Sequence, residues 1–496
     1  MKVVIVGGGS SGWMAASMLS RLMGQQLDIT LVESDDIGTV GVGEATIPPI
    51  AHFNRVLGLN EHEFMRATGG TYKLGIEFDG WYNSCESYMH AFGRIGKDMG
   101  LAGFHHTWLR AHANGEGGSY WDYSLNYQVA KANKYQPLPK IPNTQMQGLV
   151  HAYHFDAGLY AKYLRMLSEQ CGVNRREGKI EQVLLSPQSG EITGVQLSSG
   201  QVISGDFFID CSGFKSLLLG ETLKTGYQDW RHLLPCDRAI AVPSQATSPI
   251  LPYTKSIAHS AGWQWRIPLQ HRTGNGLVYC SDYYTEQQAQ DLLLASIDSQ
   301  PLAEPKVLKF VTGRREKQWY KNCVALGLSS GFLEPLESTS LHLVQSGIVR
   351  LVKLFPRHSI KQTDVDEFNR QSKIEFERIR DFIILHYVLN NREEAFWQRC
   401  REMSIPDSLS QKINLFKQSG LVFREQDELF TEIAWYQVMI GQGIIPTDYH
   451  PLADALPQAS QKELLDNLKV IMQGTARQLS DHQGYLQQFC AMTKVS

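Results

Sequence analysis

The chain has 496 residues, enough for about three average domains or for one long cofactor-binding unit with an appendage. With 43% hydrophobic and 20% charged residues it has the composition of a globular protein with a large core, which excludes a disordered chain. A formal net charge of −3, from 47 basic and 50 acidic residues with no basic block, argues against nucleic acid as the main ligand.

In chain order, Met1-Lys2 and the apolar run Val3 to Val6 come first. The run stops at Gly7, short of the ~7–15-residue core of a secretion signal. It has instead the pattern of a parallel strand buried on both faces. Gly7-x-Gly9-x-x-Gly12 follows, then a helical stretch Trp13 to Leu22, then a second strand Ile29 to Val32 ending at Glu33. Glu33 stands 21 residues after Gly12, where a dinucleotide fingerprint asks for an acid ~20 residues on. Gly7 permits the turn, Gly9 admits a pyrophosphate, and Gly12 allows helix and strand to pack closely. The helix N-terminus then faces the phosphates, and Glu33 accepts from ribose hydroxyls.

Further along, Tyr72 to Phe78 alternates, which puts Lys73, Gly75 and Glu77 on one strand face; by pattern alone that face is solvated. His105, His106 and His112 lack zinc spacing, so no metal site is expected. Tyr135 to Pro142 reads as an extended surface connection. Asp206 to Gly213 and Val324 to Gly327 are strands running into Gly-containing turns, suited to the return strands of a split FAD-binding module. Only one Gly-rich fingerprint occurs, so no separate nicotinamide domain is expected. Gly327-Leu328-Ser329-Ser330-Gly331 matches a hydrolase nucleophile elbow, but Gly331 to Pro335 interrupts the helix that an elbow requires. Glu337 precedes an amphipathic segment, Leu341 to Phe355, which Ser338 or Thr339 can cap. Helical spacing with charged faces then covers Asp364 to Leu389 and Gln461 to Phe489.

The expected fold is mixed α/β: a Rossmann-like FAD-binding module of the flavin monooxygenase type over 1–355, and a mostly helical substrate-covering region over 356–496. Eight cysteines, none closer than 25 residues to the next, fit a reducing compartment. No run approaches the ~18 apolar residues of a membrane span. A cytoplasmic protein is expected.

Three motifs carry a family resemblance: Gly7 to Trp13 as G-x-G-x-x-G-W, Gly41-Val42-Gly43-Glu44-Ala45-Thr46-Ile47-Pro48, and Trp263-x-Trp265-x-Ile267-Pro268. With Tyr72-Lys73 and Glu334-Pro335-Leu336-Glu337-Ser338-Thr339, the sequence resembles the flavin-dependent tryptophan halogenases over most of residues 1–350. The resemblance implies that FAD, delivered reduced by a separate NAD(P)H-dependent reductase, reacts with O₂ to a hydroperoxide that halide attacks, giving hypohalous acid. Lys73 would then pass electrophilic chlorine or bromine to an indole-like aromatic, with Glu337 as the second catalytic residue. Gly7, Gly9, Ser11, Gly12, Trp13, Glu33, Gly43, Ala45 and Leu328 match the cofactor positions. Thr339 and Ser340 match the halide site, where Ser340 replaces a glycine. His90 and Phe92 match the pair that sandwiches the substrate, and Trp263, Trp265, Ile267 and Pro268 the wall between flavin and substrate. Trp435-Tyr436 with Gln442 matches the segment that holds an amino-acid end, with an amide in place of a carboxylate, which disfavours free tryptophan. A homodimer is compatible with this reading. The alternatives are an aromatic hydroxylase using the same hydroperoxide, a serine esterase, and a flavin-binding protein without catalysis.

Overall fold

The first strand, Lys2–Val6, lies inside a six-stranded sheet rather than at its edge. Its neighbours are Asp28–Glu33 on one side and Phe207–Asp210 on the other, both parallel to it. Asn174–Glu177 extends the sheet beyond the former, and Cys323–Ala325 beyond the latter, again in parallel. Trp319–Tyr320 closes the far edge antiparallel. The computed structural model describes residues 1–38, 44–425 and 428–492. The two strand-to-Gly segments are therefore the return strands of the first unit, as expected.

Helix Ser10–Met23 is buried from Gly12 through Ser20, because it packs against the sheet and against helices Ala157–Gln170 and Ser340–Lys353. Ser17 and Ser168 share a 2.7 Å hydrogen bond across the first of these contacts. Close approach needs small residues here: a Cβ at Gly12 would stand 1.9 Å from the Gly7 carbonyl oxygen.

A second, seven-stranded sheet stands beside the first. Its order is Lys306–Lys309, Arg238–Gln245, Arg272–Tyr279, Gly262–Pro268, Thr254–His259, Gly75–Asp79, Ser87–Ala91. All neighbours are antiparallel except Gly75–Asp79, which runs parallel to Thr254–His259. Here the alternation expected over Tyr72 to Phe78 fails. Thr71–Lys73 belongs to a small separate sheet with Ala152–Phe155 and Glu44–Ala45. Leu74, whose amide donates to the Pro252 carbonyl at 2.8 Å, crosses from one sheet to the other. Every residue from Thr71 to Phe78 is buried, so there is no solvated face for Lys73 and Glu77 to share.

The helices of the C-terminal third form where expected, with one break. Gln362–Val388 is continuous, but the Gln461 to Phe489 stretch divides into Gln458–Gln478 and His482–Phe489. Asp481 starts the second helix by accepting the Gly484 amide at 2.8 Å. Tyr135 corrects the surface reading of its segment. It is fully buried, stacked on Tyr72 at 3.7 Å, and Ile141 is buried as well, so the connection is pinned to the core at two points. Among the described residues, no helix is long and apolar enough to cross a membrane.

Candidate active site

A cavity of about 540 Å³ opens where the first strand ends, between the two large sheets. Gly7, Gly9, Ser11, Glu33, Ala45 and Leu328 line it. Gly7 has φ +112°, and a Cβ there would stand 2.2 Å from the Cys211 carbonyl oxygen. Gly9 differs in kind: a Cβ would meet nothing within 4 Å, since the position faces open space in front of the helix N-terminus. That space is where a pyrophosphate fits. Glu33 accepts from Arg175 Nε at 2.5 Å and from Trp13 Nε1 at 3.3 Å. Trp13 is a buried helix residue set back from the cavity lining, and it reaches the cavity through this bond to Glu33. Gly12 acts through packing alone. Gly43 lies outside the described residues. Asp210, at the end of its strand, is committed to structure: its carboxylate accepts the Leu218 and Leu219 amides at 2.9 and 2.8 Å.

Trp263, Trp265 and Ile267 form the opposite wall. The Trp265 ring lies on Gly276, where a Cβ would be 2.0 Å from the ring. Its indole Nε1 is buried without a hydrogen-bond partner among the protein atoms. An orphaned donor, an open Gly9 and a long cavity fit a flavin dinucleotide. Pro268 is set back from the cavity, its carbonyl accepting the Thr71 hydroxyl at 2.7 Å.

Next to this cavity the sequence-distant catalytic candidates meet. Lys73 is fully buried, and its Nζ donates to Ser338 Oγ at 2.7 Å and lies 5.6 Å from the Phe92 ring centroid. Ser338 also lines the cavity, so its hydroxyl links the buried Lys73 to that space. Burial lowers the Lys73 ammonium from 10.5 to about 7, against the opposing pull of the Glu337 charge. Glu337 is fully buried too. One carboxylate oxygen faces His90 Nδ1 at 2.8 Å, the other His386 Nε2 at 2.9 Å. Burial alone would raise its pKa, but the two imidazoles outweigh that and hold it below the usual carboxylate range.

The contacts around this pair were not legible in the sequence. Ser338 sits at φ +58° and anchors Lys73 instead of capping the helix. Thr339 occupies the N-cap without a side-chain cap bond, its hydroxyl buried and unpaired, while Ser340 beside it lines the cavity. His386 is backed by Tyr88, whose hydroxyl is 2.8 Å from Nδ1. Gln442 supports this pair, its Nε2 donating to the His386 carbonyl at 2.7 Å and to the Tyr88 hydroxyl at 3.3 Å. Gln442, Trp435 and Tyr436 are all buried, and Gln442 brings an amide rather than a carboxylate to this segment. His90 and Phe92 meet edge to face at 6.3 Å and 82°, not as the parallel faces of a sandwich. Instead His90 abuts Phe382 and Phe430, which stack on each other at 3.8 Å.

The esterase alternative loses its geometry. Ser329 Oγ is buried and donates to the Gly213 carbonyl at 3.1 Å, and a strand, Gly331–Phe332, follows instead of a helix. His105 and His106 are packing residues, their rings 3.9 Å apart and their protonation suppressed mainly by burial. His112 stacks on Trp108 at 4.8 Å.

Fold and cavity together put the chain among the flavin-dependent oxidoreductases. A family model described as "Tryptophan halogenase" matches residues 2–458. The tryptophan 6-halogenase SttH of Streptomyces toxytricini is 34% identical, with 93% of each chain covered. Two solved structures superpose throughout. Xcc4156, a flavin-dependent halogenase from Xanthomonas campestris, has a TM-score of 0.96 at 47% identity, covering 99% of both chains. BrvH, a flavin-dependent halogenase from Brevundimonas sp. BAL3, has a TM-score of 0.94 at 42% identity, covering 98% of this chain and 99% of that one. The chain belongs to the tryptophan halogenase family and is an enzyme of the flavin-dependent, aromatic-halogenating class.

Proposed function

We propose that this enzyme makes hypohalous acid in the flavin cavity and transfers electrophilic halogen through Lys73 to an indole-like aromatic. FAD would be held by Gly7, Gly9, Ser11, Glu33, Ala45 and Leu328, arriving reduced from a separate NAD(P)H-dependent reductase. Bound in that form it supplies, with O₂ and chloride or bromide, the hypohalous acid. The first turn of helix Ser340–Lys353, with its free amides at Thr339 and Ser340, suits the halide. Trp263, Trp265 and Ile267 keep the aromatic substrate off the flavin, which favours halogenation over hydroxylation.

Lys73 is the hinge of the reading. An amine with a pKa near 7 is partly neutral at neutral pH. It can hydrogen-bond hypohalous acid or react with it, the N–halogen bond forming as water leaves. Ser338 fixes the nitrogen at the boundary of the cavity. Glu337 stays anionic between two imidazoles, so its role is to stabilise the cationic ring formed when halogen adds. A carboxylate held so acidic is a poor final resting place for the ring proton. The single observation supporting this scheme best is the 2.7 Å Lys73–Ser338 bond, which joins a buried amine to the flavin cavity.

Lys73→Ala tests it. The variant is expected to bind FAD and to consume O₂ with the reductase present, yet to yield no halogenated product by mass spectrometry. Unchanged product yield would refute the scheme; oxygen incorporation in place of halogen would favour the hydroxylase alternative.

A further inference from the structure

Glu334 is fully buried, and the halogenation scheme gives it no task. Its Oε2 accepts the Trp263 indole N–H at 2.9 Å and the Tyr387 hydroxyl at 2.5 Å; its Oε1 is buried without a partner. Burial pushes its carboxyl up to about 7, against those two hydrogen bonds. An amide could satisfy both donors without the cost of burying an ionisable group. The ionisable choice therefore calls for a reason.

The neighbours supply one. Trp263 walls the flavin cavity. Tyr387, at the end of helix Gln362–Val388, lies on the other side of Glu334 with its ring stacked on Trp397 at 5.7 Å and 22°. Trp81 fills the angle between them, its ring 6.3 Å from Trp263, 5.4 Å from Tyr387 and 5.3 Å from Trp397. Trp397 is braced by donating Nε1 to the His259 carbonyl at 2.7 Å and by the Arg392 guanidinium 5.4 Å from its ring. Oxidisable rings thus run without a gap from the cavity wall inward, and the one phenol among them has a proton acceptor in contact.

We propose that Trp263, Glu334, Tyr387 and Trp397 form a one-electron relay that drains oxidising equivalents from the flavin cavity. The inference rests on the reading of that cavity as an FAD site. The oxidant is of the oxygen-radical class, such as hydroxyl radical, formed when reduced flavin meets O₂ unproductively. It takes one electron from Trp263 and becomes hydroxide. Tyr387 returns an electron to the Trp263 cation radical while its phenolic proton moves to Glu334 Oε2, leaving a neutral tyrosyl radical and a neutral carboxylic acid. One electron from a solution reductant, tunnelling through the packing around the buried Trp397, and return of the proton from Glu334 to the phenolate oxygen reset the relay. Halogenation does not consume it.

Light makes the relay observable without turnover. Protein loaded with oxidised FAD is purified, bound FAD is measured by absorbance, and a blue flash excites the flavin to take an electron from Trp263. Transient absorption then reads which radical holds the hole and for how long. The wild type is expected to give a long-lived tyrosyl signal. Tyr387→Phe is expected to give only a tryptophan radical that decays at least an order of magnitude faster. Glu334→Gln, which keeps an acceptor for both donors but cannot take the proton, is expected to lose the tyrosyl signal as well, whereas a purely structural Glu334 would leave it intact. A tyrosyl signal unchanged in either variant, with FAD bound and the melting temperature near wild type, would overturn the relay alone. Failure of the wild type to bind FAD would overturn both the relay and the proposed function.

Discussion

Lys73 has exchanged water for a single serine hydroxyl, and the energetic consequence can be read with pH. Its pKa falls from 10.5 in the unfolded chain to about 7 when folded. Between those values the unfolded chain binds the extra proton, so stability rises with pH across that window and is lowest below about 7. Lys73→Met removes the buried charge at similar length. It is expected to raise the melting temperature at pH 6 and to help less, or not at all, near pH 10. An equal gain at both pH values would mean that the lysine is not desolvated. Gly9 is the opposite case, a residue defined by what it leaves empty. Gly9→Val would place methyl groups where the pyrophosphate belongs. The variant should fold, because no protein atom is displaced, and should lose FAD binding in a fluorescence-quenching titration.

At the scale of elements, the segment from Glu334 to Ser340 concentrates most of the chemistry. A short turn, Pro335–Glu337, ends in Ser338 with φ +58°, and helix Ser340–Lys353 begins two residues later. A non-glycine residue in that conformation carries strain on the order of 1–3 kcal/mol. The strain is offset by what the turn achieves, aiming Ser338 at Lys73 while Glu337 points to His90 and His386. The helix start beside it has serine, not glycine, at position 340. The Ser340 side chain lines the cavity, and at the proposed halide site it would narrow the room for an ion and its remaining water. Bromide is easier to desolvate and to oxidise than chloride. The expected outcome of an equimolar competition is therefore mostly brominated product, measured by isotope pattern; a chlorinated majority would count against Ser340 as part of the halide site.

For the whole molecule, the buried positions of Trp435, Tyr436 and Gln442 bear on substrate choice. An amino-acid zwitterion needs charged partners, and a charge-assisted contact is worth ~1.5–3 kcal/mol against ~0.5–1.5 for a neutral one. None of these three side chains carries a charge. Indole is expected to show higher kcat/KM than free tryptophan under saturating reductase, and the reverse order would restore the amino-acid reading. The same distinction between local and long-range information explains what the sequence disclosed. Gly7, Gly9, Gly12 and Glu33 were legible because their tasks are fixed by a contiguous strand, turn, helix and strand. Lys73 was legible only through family resemblance, since its burial depends on a change of sheet at Leu74 that no local pattern marks. His386 and Tyr88 were invisible: each sits in an ordinary helix or strand context, and only folding brings them together 298 residues apart.

The six-stranded sheet has one more consequence, in time rather than space. Lys2–Val6 is synthesised well before Phe207–Asp210, one of its two partners, and the strand beyond that ends at Ala325. At ~5–20 residues per second, synthesis of that distance takes on the order of tens of seconds. During that interval the apolar run Val3 to Val6 has an unfilled edge, the kind of surface that recruits other chains. Yield of folded enzyme should therefore depend on translation speed, temperature and chaperone supply more than on the stability of the finished fold.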